Sequence, residues 1–326
     1  MREQDIPAAL IGAALWLLAF APPVSAQPYP AKPIQLYVSF PAGSGIDFTA
    51  RIVAEKLRER LGQPVIVENR LGAGAVLGAT HVAQAAPDGY SIAVAGTTEL
   101  AVAISTRRNL GYDPERDFAP LAMLVDVPQW IVAGTQIEAR TLMELVSVAR
   151  RQPGRLTFAS YGQGTLSHLG QELFKAAAAI ELLHVPYKTG PQAHADLIGG
   201  RVTVLWDSVA AALPHVRAGK LRALAVTAAA RLTQTPDTPT VAESGYPGFE
   251  VSGWAAAVAP AATPKDITQR LGVELRFIVS LPEVRTRLAA AGLEAQGASP
   301  EATRARIHAY VGKLAEAVRI SGFQPD

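Results

Sequence analysis

Ile34-Gln35-Leu36-Tyr37-Val38-Ser39-Phe40-Pro41-Ala42-Gly43-Ser44-Gly45-Ile46-Asp47 is the stretch on which the fold turns. Ile34 to Phe40 is an apolar run of strand length, the signature of a strand buried on both faces. Small residues and glycines follow. Asp47 is then placed to cap a helix whose apolar residues Phe48, Ile52, Leu57 and Leu61 recur at helical spacing, and Gly62 ends it. A strand, a glycine-bearing loop and a helix in that order make the opening half of a parallel βαβ unit.

The rhythm continues outward from there. Val65 to Val67 reads as a strand, Leu77 to Ala86 as a helix, and Pro87-Asp88-Gly89 as a turn into a strand at Ser91 to Ala95. A long apolar segment, Ala119 to Gly134, is interrupted by Pro128. Beyond it, strands at Leu156 to Ala159, Leu182 to Tyr187 and Val202 to Trp206 alternate with helices near Thr141 to Arg151, Leu166 to Ala179 and Pro191 to Ile198. Residues 228 to 250 are rich in Pro, Thr and Gly and read as a connector, after which come a strand at Trp254 to Ala259 and two or three helices. The terminal helices have no lobe of their own to cover, so they are expected to pack back on the first one. The expectation is an α/β protein of two lobes, one built from 27–127 plus 250–326 and the other from 128–249. The chain crosses near 128 and returns somewhere between 228 and 253.

The first 26 residues stand outside this pattern. The apolar run Ala8 to Ala21 falls short of the ~20 residues that span a bilayer, and Val24-Ser25-Ala26 supplies the small residues that precede a signal-peptidase cut. An export signal cleaved after Ala26, with a periplasmic product starting at Gln27, is the expectation, and an uncleaved anchor is the alternative. Glu3 and Asp5 outnumber Arg2, an unusual start for such a signal that a mis-assigned start codon would explain.

Charge and composition narrow the function classes. Taking Arg2, Glu3 and Asp5 from 30 basic and 28 acidic residues leaves 29 and 26, too even a balance for a nucleic-acid footprint. Zero cysteines remove disulfides, thiolate nucleophiles and thiolate metal sites. The six histidines at 81, 168, 184, 194, 215 and 308 show no close metal-ligand pairing. Gly72-Ala73-Gly74-Ala75-Val76-Leu77-Gly78 has one residue too many for a dinucleotide fingerprint, and no acidic residue closes a second strand to hold a ribose. No cofactor, metal or catalytic residue is expected. A hydrolase using Ser44 or Ser167 with His168 is disfavoured, because Ser167 and His168 are neighbours on a helix and point apart.

In open α/β sheets ligands bind where strands hand over to helices, so four loop tips become candidates. The first holds Phe40, Ala42, Gly43, Ser44 and Asp47, small residues at a helix N-terminus where unpaired amides and the dipole favour an anion. In the second lobe Ser160, Tyr161, Gly162, Gly164, Thr165 and His168 combine glycines with hydrogen-bond donors. Thr97 and Thr98 follow the third strand, and Asp207 with Ser208 follows Val202 to Trp206. Asp207 repels an anion but accepts from a ligand amine or hydroxyl; capping a helix is its alternative role. Tyr187 and Trp254 can stack on a ligand or serve the core. None of these loops contains an arginine, so backbone amides and neutral side chains are expected to do the binding.

At these loops the chain resembles the tripartite tricarboxylate transporter receptors, the Bug or TctC-like extracytoplasmic solute-binding proteins, over essentially its whole mature length. The matching segments are Tyr29 to Ile34, Phe40 to Asp47, Val67 to Arg70, Ala86 to Tyr90, Ser160 to His168, His184 to Lys188, Ala218 to Thr227 and Pro239 to Glu243. The resemblance implies a type II periplasmic-binding-protein fold hinged by two crossing segments, a Venus flytrap with a ligand cleft between its lobes. It also implies a monomeric receptor, not an enzyme, that holds a small organic acid between the two glycine loops and serves a membrane permease. Output to a sensor kinase is the alternative. The family's first loop usually reads F-x-x-G-G-x-T/S-D, whereas here Ser44 replaces the second glycine and Ile46 the hydroxyl residue. Ser208 stands where Asn is common, and Thr189 where Gly is usual. These departures fall where a ligand is chosen.

Overall fold

The computed structural model describes residues 29–72 and 76–325. The expected export signal at 1–26, and Ala73 to Ala75 of the glycine run, lie outside the described residues.

Strand β1 (Ile34–Val38) pairs in parallel with β2 (Val65–Asn69) on one side and β3 (Ser91–Gly96) on the other. The crossovers are α1 (Gly45–Leu61) and α2 (Leu77–Ala83). Ile52, Leu57 and Leu61 bury the inner face of α1, and Gly62 closes it at φ +69°, a left-handed turn that glycine adopts without a Cβ penalty. The helix begins earlier than its sequence suggests. Its N-cap is Ser44, whose hydroxyl accepts from the Asp47 amide, so Asp47 occupies the first turn instead of capping it. After β3 the chain makes one π-helical turn (Thr98–Val102) and a short α3 (Ala103–Thr106).

The apolar run at 119–134 is two strands in two different sheets. β4 (Phe118–Val127) joins the first sheet and β5 (Gln129–Gly134) the second. Pro128 stands between them, where a residue without an N–H cannot carry either hydrogen-bond ladder onward. The second sheet runs β7 (Leu183–Pro186), β6 (Thr157–Ser160), β8 (Val204–Ser208), β5 and β9 (Leu221–Val226), with β6 parallel to β7 and β8, and β5 antiparallel to β8 and β9. Its helices are α4 (Leu142–Arg151), α5 (Leu166–Ala178), α6 (Gly190–Ile198) and α7 (Val209–Arg217). A reciprocal capping box of Thr141 and Glu144 starts α4.

Residues after β9 run without helix or long strand, tied to the second sheet through Val226 and burying Val241 and Val251 in that sheet's core. The chain then returns as β10 (Gly253–Pro260), which inserts antiparallel between β3 and β4. Helices α8 (Lys265–Ser280) and α9 (Pro282–Ala290), the two-residue edge strand β11 (Glu294–Ala295) and the long α10 (Pro300–Ser321) complete it. The first sheet therefore reads β11-β4-β10-β3-β1-β2. The expectation that the tail covers the first lobe is only part of the outcome. Ile307, Tyr310, Leu314 and Ala317 of α10 bury themselves with Phe118, Met123 and Trp254 of the first sheet, but also with Leu169 of α5.

Candidate functional site

Where β1 and β3 of one sheet and β6 and β8 of the other end, their loops enclose a cavity of about 350 Å³. Phe40, Ser44, Gly45 and Ile46 line it from the first loop, and Thr97 and Thr98 from the turn after β3. Tyr161, Thr165, Leu166, Ser167 and Ser208 come from the second sheet's loops. Val127, Gln129, Gly253 and Trp254, at the two crossings, form the remaining wall.

Three helices start at this cavity. Ser44 caps α1, Thr165 caps α5 and Ser208 caps α7, their hydroxyl oxygens accepting from the amides of Asp47 (3.2 Å), His168 (3.4 Å) and Ala211 (3.3 Å). The first-turn amides of each helix have no intrahelical acceptor, and the helix dipoles put their positive ends here. Among the described residues no Lys, Arg, Asp or Glu lines the cavity. An anion inside it meets backbone and hydroxyl donors without a formal counter-charge.

The hydroxyls differ in what they have left to give. Thr165 donates to the Gly162 carbonyl (2.7 Å), and Thr97 exchanges hydrogen bonds with the Trp254 backbone, accepting its amide (2.8 Å) and donating to its carbonyl (3.3 Å). Among the described residues Ser44 and Ser208 only accept, so each keeps an O–H to donate, one from each side of the cavity.

The first loop is held from behind. Asp47, almost wholly buried, accepts from the Gly43 amide (2.9 Å), Arg51 (2.9 Å) and Asn69 (2.8 Å), and Asn69 also donates to the Phe40 carbonyl (3.0 Å). Burial opposes its ionisation, but those donors outweigh burial and hold the carboxyl below its ordinary range. Gly43 sits at φ +84° to let its amide reach Asp47. Ala42 and Gly43 are exposed and stand outside the cavity wall. Arg51 turns to Asp47 and Asn69 and does not line the cavity.

The second loop rests on a stack of rings. His168 lies on His184 with centroids 4.2 Å apart, and His184 on Phe158 at 4.6 Å. His168 Nδ1 accepts from the Gly164 amide (3.2 Å), and Ser160 Oγ is 2.6 Å from His184 Nε2. Burial lowers both imidazoles, to about 4, so both are neutral near pH 7. Ser160, Gly162, Gly164 and His168 thus shape the loop and do not line the cavity. Ser167 accepts from the Tyr161 amide (3.0 Å) and lies 3.0 Å from Thr165 Oγ1, while His168 Nδ1 is spent on Gly164.

Asp207 is fully buried and also absent from the wall. It does not cap α7, a role Ser208 fills. Its carboxylate accepts from the Tyr161 hydroxyl (2.5 Å) and sits 2.6 Å from His194 Nε2, backing the tyrosine that does line the cavity. Burial, with Asp207 next to it, raises the Tyr161 phenol above its ordinary range, so it stays protonated. Tyr187 donates to Asp196 (2.8 Å) and is buried among Trp130, Val132 and Leu205, away from the cavity. Trp254 serves twice, lining the cavity and packing edge-on to Tyr310 at 5.6 Å.

Of the candidates read from sequence, Phe40, Ser44, Thr97, Thr98, Tyr161, Thr165 and Trp254 come together here. Sequence reasoning passed over Val127, Gln129 and Gly253 as wall residues because it searched strand-to-helix loops only. Their signal was Pro128, which marks where the chain leaves one sheet for the other. Ser208, read from sequence as part of a polar loop tip, and Ile46, read as a departure from the family's first loop, both line the wall.

Residues 49–317 match the family described as tripartite tricarboxylate transporter family receptor. BugT of Bordetella pertussis is 37% identical over 315 residues, covering 96% of this chain and 97% of that protein. Among solved structures, Rpa4515 of R. palustris with adipate superposes with a TM-score of 0.79 at 31% identity, covering 91% of this chain and all of that one. MatC of Rhodopseudomonas palustris with bound malate gives 0.74 at 30%, covering 89% and all of it. The periplasmic binding protein BugD superposes with a TM-score of 0.75 at 36% identity, covering 91% of this chain and all of that one, and the two-sheet α/β architecture is accordingly that of periplasmic binding proteins.

Proposed function

Because the chain belongs to the tripartite tricarboxylate transporter receptor family, we propose that it is an exported receptor that captures a small carboxylate and delivers it to a membrane permease. The observation that carries this reading is the convergence of three helix N-termini, from both sheets, on one cavity that no charged side chain lines among the described residues. That set of donors suits a carboxylate. The neighbours that hold adipate and malate support a ligand of that size.

Residues 27–127 with 250–326, and 128–249, act in this reading as the two lobes, hinged at Pro128 and at the return before Gly253. Ser44 belongs to one and Ser208 to the other, so only a closed state satisfies a ligand from both sides. Titration calorimetry of the mature protein against mono-, di- and tricarboxylates tests the proposal, together with mass spectrometry of whatever ligand co-purifies. Micromolar or tighter binding of a carboxylate is the expected result; a panel with no binder and a co-purified ligand lacking a carboxylate would overturn it.

A further inference from the structure

Donors to an anion account for much of the cavity wall, but two of its groups face the opposite way. Tyr161 has committed its hydrogen to Asp207, a wholly buried carboxylate that is itself 2.6 Å from His194. What the phenol oxygen keeps is a lone pair. Gln129 donates its amide nitrogen to the Val127 carbonyl at 2.9 Å, an assignment fixed because a carbonyl can only accept. Its Oε1 is thereby the end left without a partner among the described residues. Both residues line the cavity, one from the second loop and one from the outgoing crossing.

Acceptors are poor company for a bare carboxylate, since oxygen lone pairs repel one another, and they are costly to desolvate unless a donor meets them. The geometry points to a ligand that carries a hydroxyl beside its carboxylate, a hydroxycarboxylate whose O–H donates to Tyr161 Oη or Gln129 Oε1 while the N-terminal amides, Ser44 and Ser208 hold the charge. An ammonium could also donate. It is disfavoured here because no acidic side chain among the described residues lines the cavity to balance it, and Asp207 already accepts from Tyr161 and faces His194. Tyr161 and Gln129 are therefore specificity residues, and Asp207 with His194 positions the first of them. A site that offers an acceptor discriminates sharply against the analogue that lacks the donor, because the acceptor is left buried and unmet.

The inference rests on the carboxylate-receptor reading and is separable from it. Calorimetry is run on matched pairs, malate with succinate, 2-hydroxyglutarate with glutarate and 2-hydroxyadipate with adipate, and on aspartate and glutamate. The hydroxylated member of the best-binding pair should be favoured by about three- to tenfold or more, the range expected for one neutral hydrogen bond. Tyr161→Phe or Gln129→Met should bring that ratio towards one. Asp207→Asn, which frees the Tyr161 hydrogen to turn to the ligand, should reduce the ratio as well, and if it fails to fold the two wall variants decide alone. Unsubstituted acids binding as well as hydroxylated ones, amino acids binding best, or a ratio indifferent to both wall variants would each overturn the inference and leave the carboxylate receptor standing. No binding by any acid would overturn both.

Discussion

The Arg306 guanidinium of α10 lies 2.6 Å from the carboxylate of Asp126, two residues before Pro128 carries the chain out of the first sheet. Arg306 also stands 3.6 Å from Glu250, on the returning segment, and Lys313 reaches the same Glu250 at 3.1 Å. Tyr310 completes the grip, accepting from the Ser252 amide at 3.1 Å and donating to Glu250. One helix face thus holds both crossings.

Arg306→Met leaves Asp126 without its cationic partner in a site where both side chains are only a fifth to a quarter exposed. A loss of about 1–3 kcal/mol in unfolding free energy is expected, below the deep-interior range because some solvent remains. Asp126→Asn should cost less, and the double variant should cost less than the sum, since the two residues share one interaction. Urea unfolding of the four proteins measures the cycle. Small-angle scattering with and without ligand should show the variants' closure altered.

His168 and His184 are lowered to about 4 in the fold against an ordinary value of 6.5. The unfolded chain therefore takes up protons first as pH falls. Their contribution to stability is complete above about pH 6.5 and is lost progressively between 6.5 and 4. Melting temperature should fall across that window, and His184→Gln should flatten the fall. A midpoint that stays constant from pH 7 to pH 4.5 would contradict the buried, neutral stack.

Glu99 moves the other way. It is fully buried and accepts the Gly96 amide at 3.0 Å, and burial outweighs that amide and the Ser39 hydroxyl to raise its carboxyl to about 8. With the folded value above the unfolded one, stability from this group is present below about pH 4.5 and lost as pH climbs through 8. Glu99→Gln, which keeps the shape and removes the titration, should be close to neutral at pH 5 and stabilising relative to the parent at pH 8.5. Scanning calorimetry at the two pH values reads the difference directly.

Ser44→Ala and Ser208→Ala each remove an N-cap and a free O–H. Each should cost about 0.5–2 kcal/mol of stability and, with a bound carboxylate, about 1.5–3 kcal/mol of binding, roughly one to two decades in affinity. Glycine in place of either serine separates the effects, since it caps almost as well and still lacks the donor. Restoring both family residues with Ser44→Gly and Ile46→Thr should reorder a panel of acids while shifting the melting temperature by only a few degrees. Thermal melts and calorimetry on the same samples make the comparison.

Strand order along the chain and the strand-to-helix loops were legible because periodicity and glycine placement are local signals. What escaped was set by tertiary partners. Asp47 reads as a cap until Ser44 is seen three residues earlier with its hydroxyl free to take that place. His168 reads as a ligand contact because a ring in a polar loop looks available; the ring of His184, sixteen residues on, is what turns it inward. Asp207 reads as a charge at the cleft, and only the fold reveals Tyr161 standing between it and the cavity. Val127 and Gln129 carry no motif, and become wall residues only because Pro128 swings the backbone past the opening.

The position of β10 has a consequence for the order in which the molecule is made. The second sheet is continuous in sequence from Gln129 to Val226, so its strands are all present before the remaining hundred residues emerge. The first sheet cannot close on the same schedule, because β10 fills the gap between β3 and β4 and arrives last but one. Until it does, two apolar strands lie with open edges, unable to complete a stable lobe. A chain made from its N-terminus onward therefore cannot close the sheet that its first strands begin until Gly253–Pro260 has emerged, after every strand of the second sheet.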